Sequence, residues 1–67
     1  MNEDLTGRRV HQKVGEQELG PLIGVIRAME WHVELREEAI HYAVGLLIET
    51  PTGDLIVMDF EQVRVAK

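Results

Sequence analysis

The sequence predicts a small all-β domain of five short strands. Three observations carry that expectation. Ile40–Phe60 reads IHYAVGLLIETPTGDLIVMDF, two alternating runs around Pro51-Thr52-Gly53. Ile23, Val25, Met29, Trp31, Val33 and Leu35 recur with period two, and Glu30, His32, Glu34 and Arg36 fall on the opposite face. Short valine-bearing runs stand at both ends, Arg9–Val14 and Val63-Arg64-Val65. Five strands in this length have the rhythm of an SH3-like barrel.

At 67 residues the chain holds one domain, and no internal repeat divides it. A chain this short buries little apolar area against roughly 1–2 kcal/mol of backbone entropy per residue. Small domains commonly add a disulfide, a metal or a partner subunit. With no cysteine, disulfides and thiolate metal sites are excluded, and self-association becomes the expected staple, as a dimer or tetramer. The acidic opening MNEDLTG has neither a basic region nor an apolar run, so no signal peptide is expected. No run reaches the ~18 apolar residues of a membrane span, and a cytoplasmic location is the expectation.

The elements follow in order. Residues 1–6 are expected to form a flexible tail, and 7–67 the domain. Arg9–Val14 is the first strand, anchored by Val10 and Val14. Gly15–Pro21 is expected to be a loop, having two glycines and a proline. Leu22–Glu34 admits two readings. A helical stripe through Leu22, Ile26, Met29 and Val33 would make the fold α+β, one amphipathic helix plus a hairpin. The strand reading is preferred, because a charged gap at Arg36/Glu37 interrupts the stripe and Gly45 would sit inside the helix. Gly24 could mark a bulge. With a turn centred between Arg36 and Glu37, Val33 faces Ile40, Trp31 faces Tyr42 and Met29 faces Val44, all toward the core. On the other face His32 meets His41.

Thr50–Asp54 suits a three-residue hairpin connection, Pro51 presetting φ and Gly53 taking φ > 0. Ile48 then faces Ile56, Leu46 faces Met58 and Val44 faces Phe60. A short helical turn over Asp59–Gln62 leads to the closing strand.

Chemistry-bearing patterns are few. Serine and cysteine are absent, Asp54 and Asp59 form no dyad, and the glycines make no phosphate-binding motif. No catalytic residue is expected. Trp31 and Tyr42 could stack a ligand, although a packed core pair is the simpler expectation. His32 and His41, near Glu30 and Glu34, could hold a divalent metal but lack a firm third ligand. Seven basic residues against twelve acids, a net charge of −5, disfavour nucleic acid, despite the grouping of Arg8, Arg9, His11 and Lys13 and the further Arg27. The outer face carries an apolar row of Ile26, Leu47, Leu55 and Val57, a candidate interface between copies.

Gly7, Arg9, Val10, Lys13, Gly15, Gly20 and Gly24 read GxRVxxKxGxxxxGxxxG. This pattern resembles the opening of the plasmid- and integron-borne type II dihydrofolate reductases. Tyr42-Ala43-Val44, Pro51, Gly53 and Val63-Arg64-Val65 follow in comparable order. The resemblance implies an SH3-like barrel assembled as a symmetric tetramer whose central pore binds NADPH and dihydrofolate. It also implies ligand contacts at Gln12 and Lys13 in the first strand. The family's pore strand carries Val-Gln-Ile-Tyr, where this chain has Leu55-Ile56-Val57-Met58, and Gln12 stands where the pore lysine falls. A non-catalytic, self-associating binding module is therefore the first expectation. An NADPH-dependent pore enzyme with an altered site and a nucleic-acid-binding barrel are the alternatives.

Overall fold

A computed structural model describes residues 4–66. Five antiparallel strands form one sheet: β1 (Arg9–Val14), β2 (Glu18–Arg36), β3 (Ala39–Glu49), β4 (Leu55–Asp59) and β5 (Val63–Val65). A 3-10 turn, Phe60–Gln62, joins β4 to β5. The strand order is β4-β3-β2-β1-β5. Among the described residues no ladder joins β4 to β5, so the sheet is open. Leu22–Glu34 lies wholly within β2, which removes the helical alternative.

The core is small: Leu5, Val10, Ile26, Leu46, Ile48 and Val63 are buried, with Ile23, Met29, Val44, Ile56, Met58 and Val65 packed against them. Leu5 lies in the stretch expected to be a tail, yet it is buried. A turn at Gly7 (φ 91°) folds it back, with the Arg8 amide donating to the Leu5 carbonyl at 3.1 Å. Residues 1–3 of that expected tail lie outside the described residues.

The β3–β4 hairpin forms as its turn chemistry dictates. Leu46 pairs with Met58, Leu47 with Val57 and Ile48 with Ile56. Gly53 has φ 89°, and its amide donates to the Thr50 carbonyl at 2.9 Å. The Thr50 amide donates to the Asp54 carbonyl at 2.8 Å, closing the loop.

Elsewhere the structure departs from the expected pairing. β2 starts at Glu18, inside the expected loop, and runs through Gly20-Pro21. It can do so because the β1–β2 register shifts between His11 and Lys13, so Pro21 sits at an irregularity where no ladder donor is needed. Gly20 is required there: a Cβ would lie 2.6 Å from Val14 Cγ2 and 2.8 Å from the Gln12 carbonyl oxygen.

The β2–β3 register differs by two residues from the expected one. The turn is Glu37-Glu38, both at positive φ (51° and 63°), the conformation of a two-residue hairpin of the primed type. Leu35 therefore pairs with Ile40, Val33 with Tyr42, Trp31 with Val44 and Met29 with Leu46. The faces are those expected, because a shift of two preserves the alternation.

A bulge between Ile26 and Ala28 then switches the faces of β2. Ile26 pairs with Ile48, and Ala28 with Leu47. Ile26 is thus fully buried, not on the outer row. The extra residue, Arg27, stays exposed and donates from Nε to Glu49 Oε1 at 3.0 Å.

Candidate interaction surface

β2 and β3 outrun the rest of the sheet. The β1 ladder ends at the Arg9–Val25 pair, extended by the Ile26 amide donating to the Arg8 carbonyl at 3.0 Å. The β4 ladder ends at Gly45–Asp59. Beyond these points the hairpin is a two-stranded arm, and residues 30–42 are all exposed. The radius of gyration is 12.7 Å and the longest extent 39 Å, whereas a compact domain of this length would have a radius of gyration of about 11 Å.

The arm is amphipathic. One face carries the rungs Met29–Leu46, Trp31–Val44, Val33–Tyr42 and Leu35–Ile40. The first rung belongs to the core, and the ladder leaves it rung by rung. Trp31, Val33, Leu35, Ile40 and Tyr42 are 51%, 67%, 76%, 64% and 70% exposed. The other face carries Glu30–Gly45, His32–Ala43, Glu34–His41 and Arg36–Ala39. An isolated two-stranded hairpin is marginal in water, and so large a contiguous apolar face is unusual on a monomer.

The expected aromatic pair is displaced in this frame. Trp31 and Tyr42 occupy adjacent rungs on one face and are both exposed, so neither is a buried core residue. They line a cleft of about 360 Å³ together with Phe60 of the 3-10 turn. All three aromatic residues of the chain thus meet at the base of the arm. Glu34, Arg36, Asp59 and Glu61 also line the cleft. Phe60 was not expected there, because its place depends on where the 3-10 turn packs.

The histidines are likewise offset. His32 faces Ala43 and His41 faces Glu34, so the two are diagonal, not opposed. The His32 ring lies over Gly45, 3.1 Å from where a Cβ would stand, with Nε2 3.9 Å from Glu30 Oε2. Glu34 is engaged by Arg36 Nε at 3.1 Å. No group of three or more metal-ligating side chains is gathered among the described residues.

Gln12 and Lys13 lie on β1, apart from the arm. Gln12 pairs with Val63. Lys13 Nζ donates to the Glu61 carbonyl at 3.1 Å. Lys13 also lines an open depression of about 550 Å³ with Leu19, Phe60, Val63 and Arg64. Arg64 Nη2 donates to the Gly15 carbonyl at 3.1 Å and also to the Glu16 carbonyl, tying β5 to the β1–β2 turn. His11 Nδ1 donates to the Gly20 carbonyl at 2.9 Å, which gives that ring a structural partner.

The outer row survives without Ile26. Ala28, Leu47 and Val57 stand side by side across three strands and line a shallow cleft of about 330 Å³. Leu55 and Val57 are 60% and 70% exposed.

No protein-family model matches the chain, and no curated protein or solved structure matches it either. No helix among the described residues is long and apolar enough to cross a membrane.

Proposed function

We propose that the chain is a non-catalytic, SH3-like binding module that self-associates. The observation that carries this reading is the apolar ladder that leaves the core and continues, uncovered, along the arm. A core built on six buried residues makes a partner subunit the natural complement. The strand order, with a 3-10 turn between the last two strands, supports an SH3-like arrangement that closes less fully than a barrel. The binding role also fits the polar chemistry at hand. Lys13 and Arg64 are engaged with backbone carbonyls, Glu34 with Arg36, and Asp54 with Thr52. Sedimentation velocity between 1 and several hundred micromolar, as orders of magnitude, tests the reading: an assembly should form with rising concentration. A monomer throughout would reject it. Titration with NADPH separates this reading from the pore-reductase one, which requires saturable binding.

A further inference from the structure

Apart from Val14, Leu19 and Leu22 on β1 and β2 and from Phe60, the large exposed apolar side chains fall into two patches on opposite faces of the sheet. One is the outer row of Leu47, Leu55 and Val57; the other is the arm ladder. We infer that the arm ladder is the contact surface and that its occupant is the same ladder of a second copy. This inference rests on the self-association proposed above and names its geometry. Two arms stack face to face and antiparallel about a two-fold axis that lies between them and crosses the Val33–Tyr42 rung.

Four observations favour this arrangement. The ladder is continuous with the core, so a second sheet laid on it extends one apolar layer, as in a sandwich. Edge-to-edge pairing would satisfy the free strand edges but leave the apolar face wet. Weighted by the fractional exposures above, the five side chains present on the order of 600 Å² per copy, or about 1,200 Å² for two. That reaches the lower limit of a stable interface, which the outer row cannot do with two strongly exposed residues. The third observation is charge. The tip carries Glu37 and Glu38, and the polar face carries Glu30 and Glu34 against one arginine, Arg36. An anionic lipid surface is repelled by that set, whereas a second copy meets apolar rungs bordered at the Trp31–Tyr42 cleft by Glu34 and Arg36, which pair with each other at 3.1 Å, and by Asp59 and Glu61. The fourth is the middle rung. An isologous contact must pair a surface with itself. With the axis at Val33–Tyr42, the Leu35–Ile40 rung of one copy covers the Trp31–Val44 rung of the other. The antiparallel sense also keeps the two acidic tips, each carrying Glu37 and Glu38, at opposite ends.

The chain has no cysteine, so single reporters can be placed cleanly. Val33→Cys lies at the axis and should cross-link to its own copy with a bis-maleimide reaching ~10 Å, the spacing of stacked sheets. Glu30→Cys, on the polar face, should not. Val33→Glu should convert the sedimenting dimer to monomer with unchanged far-ultraviolet circular dichroism, because position 33 lies outside the core. Val57→Glu, on the outer row, should leave the dimer intact. A dimer that persists in Val33→Glu, dissociates in Val57→Glu or fails to cross-link through Val33→Cys overturns the arm contact while sparing self-association. A wild-type monomer at hundreds of micromolar overturns both.

Discussion

Replacing Ile26 by alanine tests whether the bulge at Arg27 sets the architecture. On an outer row, Ile26 would be half in solvent and its truncation would cost little. In the structure it is fully buried, paired with Ile48 and packed in a core of six buried residues. Ile26→Ala removes three carbons, worth about 0.8 kcal/mol each in transfer, or about 2.4 kcal/mol. A cavity contribution brings the expected loss to about 3–4 kcal/mol, within the range for such truncations. A chain of this length has a total stability of roughly 3–10 kcal/mol, so the loss is a large fraction of it. Urea denaturation at fixed protein concentration should show the midpoint falling by about 3–4 M with an unchanged slope, for a slope near 1 kcal/mol/M. Val57→Ala, on the exposed outer row, is the control and should cost under about 0.5 kcal/mol. An Ile26→Ala variant within 1 kcal/mol of wild type would refute the bulge and return Ile26 to the surface.

Other perturbations have equally direct readings. In Gly24→Ala the new Cβ would run into the Glu49 carbonyl oxygen and sit 2.8 Å from Ile48 Cγ2; a loss of about 1–3 kcal/mol is expected from overpacking, measured by the thermal midpoint. Gly53→Ala meets no steric obstacle but holds φ 89°, so about 1–2 kcal/mol of backbone strain should appear in the same assay. The turn residues Glu37 and Glu38 both adopt positive φ, so Glu37→Asn combined with Glu38→Gly should stabilise the arm by about 1–2 kcal/mol. Amide exchange across Val33–Tyr42 should slow accordingly. Zinc at about 100 μM should leave the His32 and His41 ring resonances in place, because the two rings are diagonal and Glu34 is engaged by Arg36.

The Thr50–Asp54 hairpin was legible because two local signals agree. Pro51 and Gly53 select the turn, and the apolar alternation selects the same register. The β2–β3 hairpin had only one such signal. Its turn residues are two glutamates, which advertise no positive φ as Asn-Gly would. Period-two alternation is blind to a register shift of two, so the faces were readable and the partners of Trp31, His32, His41 and Tyr42 were not. A warning did stand in the sequence. The alternation from Ile23 to Leu35 is longer than the 5–6 residues typical of a strand, and longer than so small a core can cover.

The amino-acid sequence by itself determined the number and order of the strands, the turn at Gly53 and the inward face of β3 and β4. Those follow from backbone conformation and side-chain alternation, which act over a few residues. Only the tertiary structure decided the bulge that buries Ile26, the fold-back that buries Leu5 and the meeting of Trp31, Tyr42 and Phe60. It also decided which rungs of the β2–β3 ladder lie beyond the core. Each of these depends on where neighbouring strands stop, and β1 and β4 stop before the arm begins.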